Sequence, residues 1–165
     1  MKLALGLDLG TTSFSAVAVR EDGSVAASVT RANDAALPDR PPECAEQSPR
    51  RHFDTAVDAL AELADRMDGP PCCLGMTGQM HGGMLIDGDR IPISPLITWQ
   101  DRRATLPGRA GCTLLDEFRS RCSPDEIAKT GCNPSAGFFS PTGSPPILQR
   151  RARHRSQQRG FNRIV

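Results

Sequence analysis

The sequence has few of the residues that build metal centres and disulfide frameworks. It contains three histidines, one tryptophan and no tyrosine, and its six cysteines form no Cys-x-x-Cys pair. Zinc binding is therefore not expected, and a cytoplasmic chain with reduced thiols is the default interpretation. No apolar run is long enough to cross a bilayer, and Lys2 followed by a short apolar run containing Asp8 does not have the form of a signal peptide. The net charge of +1 gives the whole chain no bias toward nucleic acid or membranes.

The first thirty residues predict three short strands. At 165 residues the chain corresponds to one domain or part of one. Apolar and alternating patterns predict strands over 3–9, 13–20 and 25–30, separated by short turns. Three consecutive strands with such short connections predict an antiparallel meander.

A helix and a further strand follow. Apolar residues recur at helical spacing and predict the buried face of a helix that opens near 46–49 and stops at 69–71. These residues are Phe53, Val57, Leu60, Ala64 and Met67. Residues 72–76 then predict a buried strand, which gives a mixed sheet covered by a helix, an α/β arrangement. A strand over 84–86 with a hairpin turn at 87–89 is expected next.

Two short helices are predicted further along. Residues 112–122 have an amphipathic pattern. Ser123, Pro124 and Glu126 then form the N-cap, first position and capping-box partner of a second helix, which Gly131 ends.

The turn after the first strand is the strongest candidate for chemistry. Asp8 falls where the strand leaves the core, Gly10 allows a sharp turn, and Thr11, Thr12 and Ser13 add hydroxyl groups beside the backbone amides. A carboxylate facing amides and hydroxyls can hold a hydrated cation together with phosphate oxygens. It is not a Walker A loop, because no Gly-Lys-Ser/Thr follows. An ordinary hairpin with a Gly-Thr-Thr turn is the alternative.

Three other residues have both a functional and an ordinary interpretation. His81 lies between glycines and is either a binding residue or a surface histidine. Trp99 is either part of a binding wall or a half-buried aromatic residue. Asp101 beside Arg102 is either a ligand-binding carboxylate or half of a solvated surface pair.

Four segments in this order resemble the N-terminal domain of the FGGY carbohydrate kinases, in the actin, Hsp70 and sugar-kinase superfamily. The segments are Asp8-Leu9-Gly10-Thr11-Thr12, Gly78-Gln79-Met80-His81-Gly82, Thr98-Trp99-Gln100-Asp101-Arg102 and Thr130-Gly131-Cys132-Asn133-Pro134. The second segment resembles xylulokinases and sedoheptulokinases, and Thr-Trp-Gln-Asp is closer to the sedoheptulokinase side. The resemblance implies an incomplete ribonuclease H-like α/β domain over 1–141 and ATP-dependent phosphorylation of a ketose hydroxyl.

The resemblance also implies roles for individual residues. Asp8 would face Mg²⁺, and Gly10, Thr11, Thr12 and Ser13 would cradle the phosphates of ATP. The residues implied to line the sugar pocket are Gln79, Met80, His81, Trp99 and Asp101. The family's catalytic aspartate and its adenosine-binding domain have no counterpart in the chain, so no catalytic base is nominated. A homodimer of an intact family member is compatible with this resemblance.

The chain changes character after residue 141. Residues 142–165 contain six arginines, no lysine and no acidic residue, and predict a disordered basic tail. A frameshift or truncation is favoured over a tail that binds nucleic acid or an acidic partner. The functional hypotheses are a ketose kinase whose present chain is inactive, a non-catalytic sugar-binding remnant, or another actin-like protein. A domain cut in this way leaves an open sheet edge, and poor solubility is expected.

Overall fold

A computed structural model describes residues 2–108 and 111–138, which fall into two compact units. The first contains the residues up to Leu37 together with Gln47–Met80, and the second contains Pro38–Glu46 and the residues from His81 onward. The predicted basic tail at 142–165 lies outside the described residues. In the described part of the chain, no helix is long and apolar enough to span a membrane.

The described elements are short strands and helices. The strands are β1 (Leu3–Leu9), β2 (Ser13–Arg20), β3 (Val25–Ala32), β4 (Glu46–Gln47), β5 (Pro71–Gly78) and β6 (Leu96–Ile97). The helices are α1 (Pro49–Ala64), α2 (Leu114–Ser120) and α3 (Pro124–Thr130), with a 3-10 helix at Arg103–Thr105.

The first unit is built on a four-stranded mixed sheet in the order β3-β2-β1-β5. β1 pairs antiparallel with β2, and β2 pairs antiparallel with β3, which confirms the predicted meander. β5 pairs parallel with β1. Parallel strands need a crossover connection, and α1 lies in it. The predicted α/β class is therefore confirmed, and β1 occupies an inner position in the sheet.

Helix α1 covers this sheet through small side chains. It begins at Pro49, with the Ser48 hydroxyl accepting a hydrogen bond from the Arg51 amide. Its buried residues are Ala56, Ala59 and Leu63. The alanines let the helix backbone approach β2 and β3 closely, and the large Phe14 of β2 fills the core beside them.

The predicted apolar face of α1 is partly wrong. Phe53 and Val57 are 63% and 44% exposed, whereas Leu60 and Met67 pack at the margin of the core. Periodicity favoured the larger side chains, but the helix is rotated so that its alanine stripe meets the sheet. The helix begins within the predicted range 46–49, at the Ser48 cap and Pro49, but Glu46–Gln47 form β4.

The strand β5 exists as predicted but is not buried. All eight of its residues are exposed, including Leu74 at 45% and Met76 at 62%. The physical reason is its position at one end of the strand order, where α1 packs on β2 and β3 instead. Its sequence is that of a buried strand, and its surroundings are those of an edge strand.

The second unit contains little regular structure. β6 pairs with β4. The strand predicted over 84–86 is wrong, since this stretch makes only isolated bridges such as Ile86 with Pro92. The predicted turn at 87–89 is confirmed, because the Asp87 amide donates to the Ile91 carbonyl at 2.9 Å.

Helices α2 and α3 both begin with a capping box. In α2 the Thr113 hydroxyl and the Asp116 side chain each bond to the other residue's backbone. In α3 Ser123 and Glu126 do the same, with Pro124 in the first turn, as predicted. Gly131 ends α3 with φ +65°, which a residue with a Cβ adopts only with strain.

Candidate functional site

Asp8 lies near the carboxyl end of an inner strand and is exposed. It pairs with Ser15 on β2 and with Thr77 on β5. The end of β1 is therefore fixed from both sides, and the carboxylate leaves the sheet at a defined position. This confirms that the strand ends where the sequence predicts, with its acidic residue at the surface.

Gly10 keeps the space beside this carboxylate open. A Cβ on Gly10 would lie 2.6 Å from the carbonyl oxygen of Ser13 and 3.6 Å from Oδ2 of Asp8. The first distance is too short for any side chain, so the turn requires glycine. The backbone of the turn therefore runs close beside the exposed carboxylate of Asp8.

Three amide side chains hold the turn in place. Nδ2 of Asn33 donates to the carbonyl oxygens of Gly10 and Thr11, each at 3.0 Å. Thr11 donates through Oγ1 to Oε1 of Gln79 at 3.3 Å, and Nε2 of Gln79 donates to Oε1 of Gln47 at 3.1 Å. Nε2 of Gln47 closes the ring by donating to the Thr11 carbonyl at 3.5 Å. We refer to Asn33, Gln47 and Gln79 as the amide clamp.

The turn fits a magnesium–phosphate group. Magnesium is usually bound through one or two carboxylates together with substrate phosphates and water. Asp8 supplies one carboxylate, and the residues after it supply hydroxyls and amides. Within residues 2–108 and 111–138, no cluster of three metal-ligating side chains is present. A single carboxylate beside these donors suits a metal that is bound together with its phosphate ligand.

In the second unit, His81 is held in an uncommon conformation. Its φ is +62°, a region that non-glycine residues rarely adopt. Its ring stacks on Phe138 with centroids 4.0 Å apart and an interplanar angle of 12°. The two rings line a mainly apolar groove of about 240 Å³ with residues of α2, α3 and the segment after α3. The His81 ring is thereby fixed against Phe138 at one side of this groove.

Trp99 is 48% exposed, and so it is neither a core residue nor fully solvated. Its backbone lies against Gly137, where a Cβ would come within 2.0 Å of the Trp99 carbonyl oxygen. Met80, the last residue of the first unit, is 73% exposed. Both side chains are therefore accessible to a ligand.

The structure places Asp101 differently from both interpretations given in the sequence analysis. It is 0% exposed, so it is neither a surface pair with Arg102 nor an accessible sugar ligand in this structure. Its Oδ2 accepts hydrogen bonds from Nη2 of Arg103 at 2.6 Å and from the Ala45 amide at 2.9 Å. Nη2 of Arg103 also donates to Oε1 of Glu46 at 2.6 Å. We refer to Glu46, Asp101 and Arg103 as the buried ion cluster.

The buried ion cluster ties residues 43–46 to residues 98–103. Burial acts to lower the pKa of Arg103, but its hydrogen bonds to Asp101 and Glu46 outweigh burial and leave that pKa raised. The Arg102 amide donates to the Glu43 carbonyl at 2.7 Å, and the Thr98 amide donates to the Ala45 carbonyl at 3.0 Å. The cluster therefore fixes the backbone that presents Trp99.

Sequence reasoning missed the amide clamp residues Asn33 and Gln47, the ring partner Phe138, and the ion partners Glu46 and Arg103. Asn33 and Gln47 lie at the borders of a polar loop, where nothing in the local pattern distinguishes them from other loop residues. Asp101 and Arg103 carried a weak signal, since an acidic and a basic residue two positions apart can pair locally. Gln79 was predicted to line the sugar pocket, and in the structure its amide oxygen accepts a hydrogen bond from the Thr11 hydroxyl in the turn after β1.

The fold of the chain and its similarity to known proteins indicate the same class of protein. Mixed α/β domains of this ribonuclease H-like type occur in solved structures of sugar kinases. The family described as "FGGY family of carbohydrate kinases, N-terminal domain" matches residues 3–119. The chain belongs to the FGGY family of carbohydrate kinases, which are phosphotransferases.

Individual relatives are similar along part of their length. The chain is 32% identical over 138 residues to xylulose kinase of Escherichia coli, covering 83% of this chain and 26% of that protein. It is 31% identical over 101 residues to gluconokinase of Bacillus licheniformis, covering 61% and 19%. The crystal structure of xylulose kinase from Rhodospirillum rubrum superposes with a TM-score of 0.72 at 28% identity, covering 86% and 28%. The chain spans about a quarter of the length of the xylulose kinase relatives it matches.

Proposed function

We propose that this chain supplies the metal–phosphate side and part of the sugar wall of an ATP-dependent kinase that phosphorylates a ketose hydroxyl. The observation that carries the proposal is the exposed carboxylate of Asp8 beside a turn in which only glycine fits at position 10. Family membership and the names of the xylulose kinase relatives support it.

Phosphoryl transfer needs positioning and charge neutralisation more than covalent participation of the protein. When bound, Mg²⁺ with ATP would supply the transferred group and neutralise its charge. Asp8 would hold the hydrated cation, and the amides and hydroxyls of Gly10, Thr11, Thr12 and Ser13 would bind phosphate oxygens. The amide clamp keeps this turn in one conformation before any ligand arrives.

On the sugar side, we propose that Met80, His81 and Trp99 contact the ketose. An imidazole both donates and accepts hydrogen bonds with a polyol, and an exposed indole face packs on sugar C–H groups. For Asp101 we propose an indirect role, in which its bonds to Arg103 and the Ala45 amide position the Trp99 backbone. For Gln79 we propose that its contribution is to hold the Thr11 turn.

Xylulose or sedoheptulose is the proposed substrate. The Gln79-Met80-His81 segment resembles both xylulokinases and sedoheptulokinases. The names of the relatives favour xylulose, whereas the Trp99-Gln100-Asp101 segment is closer to sedoheptulokinases. Gluconate belongs in any test, because gluconokinases are also among the relatives.

We further propose that the 165-residue polypeptide alone does not turn over substrate. It matches about a quarter of the length of its xylulose kinase relatives. The second candidate function, a sugar-binding remnant without activity, is favoured by the exposed Trp99 and the stacked His81.

One titration series tests both. Binding of D-xylulose, sedoheptulose and gluconate is followed by NMR or calorimetry, and turnover is followed by release of ADP from ATP and Mg²⁺. We expect weak ketose binding that His81→Ala removes and Arg90→Ala, an exposed control in the same unit, retains. Turnover by the isolated chain would refute the inactivity proposal, and preferential gluconate binding would refute the ketose assignment.

A further inference from the structure

Two adjacent cysteines at the start of β5 have their sulfur atoms in contact. The Sγ atoms of Cys72 and Cys73 are 3.9 Å apart, and both residues are exposed. In a regular strand, consecutive side chains point to opposite faces of the sheet, so neighbouring thiols do not meet. The contact therefore needs a local irregularity in the strand.

The pairing of β5 with β1 contains that irregularity. Leu3 pairs with Pro71, and the next residue, Ala4, pairs with Cys73, so Cys72 is an extra residue in the ladder. A bulge of this kind bends the strand and re-aims a side chain. Because of it, Cys72 and Cys73 form a vicinal dithiol on the exposed edge of the sheet.

We propose that Cys72 and Cys73 form a chelating site for trivalent arsenicals, a modification site made of residues other than those proposed above to bind phosphate and sugar. Two bonds that meet at a pyramidal arsenic atom hold their sulfurs somewhat closer than the 3.9 Å between Cys72 and Cys73, and rotation of these two exposed side chains supplies the difference. Two protein thiols and one organic substituent complete the three bonds of such an arsenic atom.

The reaction balances without an oxidant. An organic arsenoxide condenses with both thiols: two arsenic–sulfur bonds form, and the arsenic–oxygen double bond breaks. The two thiol protons leave with the oxygen as water, and arsenic stays trivalent. The hydrogen bond between the two sulfurs raises the pKa of the Cys73 thiol.

The test titrates the reduced 165-residue chain with phenylarsine oxide and measures binding by intact-protein mass spectrometry. We expect one arsenical bound per chain, released by a small dithiol, and protection of Cys72 and Cys73 from N-ethylmaleimide in peptide maps. Losing one thiol removes the intramolecular second bond, so Cys72→Ser and Cys73→Ser should each weaken binding by about 10²-fold or more. Cys112→Ser, at another exposed cysteine, is the matched control and should bind as the unmodified chain does.

Equal binding by the unmodified chain and Cys72→Ser would overturn the proposal, as would protection of other cysteines. Circular dichroism of each variant establishes that it is folded. The protection map supplies a second reading that uses only the unmodified chain. Neither result depends on sugar or nucleotide binding, so failure here leaves the kinase proposal standing.

Discussion

The buried ion cluster offers the sharpest test of the structure. In Asp101→Asn the shape of the side chain is kept, but the charge opposite Arg103 is removed. Both carboxylate oxygens accept from Arg103, at 2.8 and 3.0 Å from Nε and at 2.6 Å from Nη2. The new NH₂ group would face at least one of these donors, or the Ala45 amide, in a site that water does not reach.

The expected loss of stability follows from these contacts. Breaking a buried ion pair by removing one partner typically costs 3–5 kcal/mol. Glu46 still pairs with Arg103 in the variant, so we expect the lower end, about 3 kcal/mol. With a urea slope of roughly 1–3 kcal/mol per molar, the unfolding midpoint should fall by about 1–3 M.

Trp99 makes the assay local. It is the sole tryptophan and belongs to the same unit as Asp101, so its fluorescence reports unfolding there, while circular dichroism follows the whole chain. Asp54→Asn removes the partner of the exposed Arg50 and should leave the midpoint unchanged. A loss below about 1 kcal/mol for Asp101→Asn, the value of a surface pair, would refute the assigned burial and pairing.

Three further outcomes are expected. Gly10→Ala should destabilise the first unit by about 1–3 kcal/mol, because the added Cβ would meet the Ser13 carbonyl. Gly88→Ala is the control and should not destabilise the chain, because the space around Gly88 is open. Equal urea midpoints for the two variants would contradict this. His52 packs edge-on against Phe14, and burial lowers its pKa, so the folded state resists protonation of this ring. The free energy of unfolding should therefore fall as pH drops from about 6.5 through the lowered pKa, and His52→Leu should flatten that dependence in urea titrations. Met76→Lys on the exposed edge strand should raise solubility without lowering the thermal midpoint, and unchanged light scattering would argue against edge association.

Local signals were sufficient for the parts of the fold whose determinants are close in sequence. The bounds of β1 and β2 were predicted as they occur, because strand periodicity and the Gly10 turn are set within a few residues. The capping box of α3 was predicted for the same reason, since Ser123 and Glu126 are three positions apart.

The rest depended on partners far along the chain. The buried face of α1 is set by the shape of β2 and β3, and hydrophobicity alone chose Phe53 over Ala56. The burial of Asp101 depends on Ala45, 56 positions away, and no local pattern contains that contact. Asp8 and Gly10 were predicted at the site, but Asn33 and Gln47, which hold it, were not.

The amide clamp has a consequence for the thermodynamics of ligand binding. Fixing the backbone of one residue costs roughly 1–2 kcal/mol of conformational entropy at room temperature. If the turn at 10–12 were mobile, each ligand would have to order it on binding, and its affinity would fall accordingly. Here the hydrogen bonds of Asn33, Gln47 and Gln79 order the turn when the chain folds. An incoming phosphate group then finds its donors already oriented, and more of its interaction free energy remains as affinity. Loosening the clamp would weaken binding through entropy, with every contact to the ligand still in place.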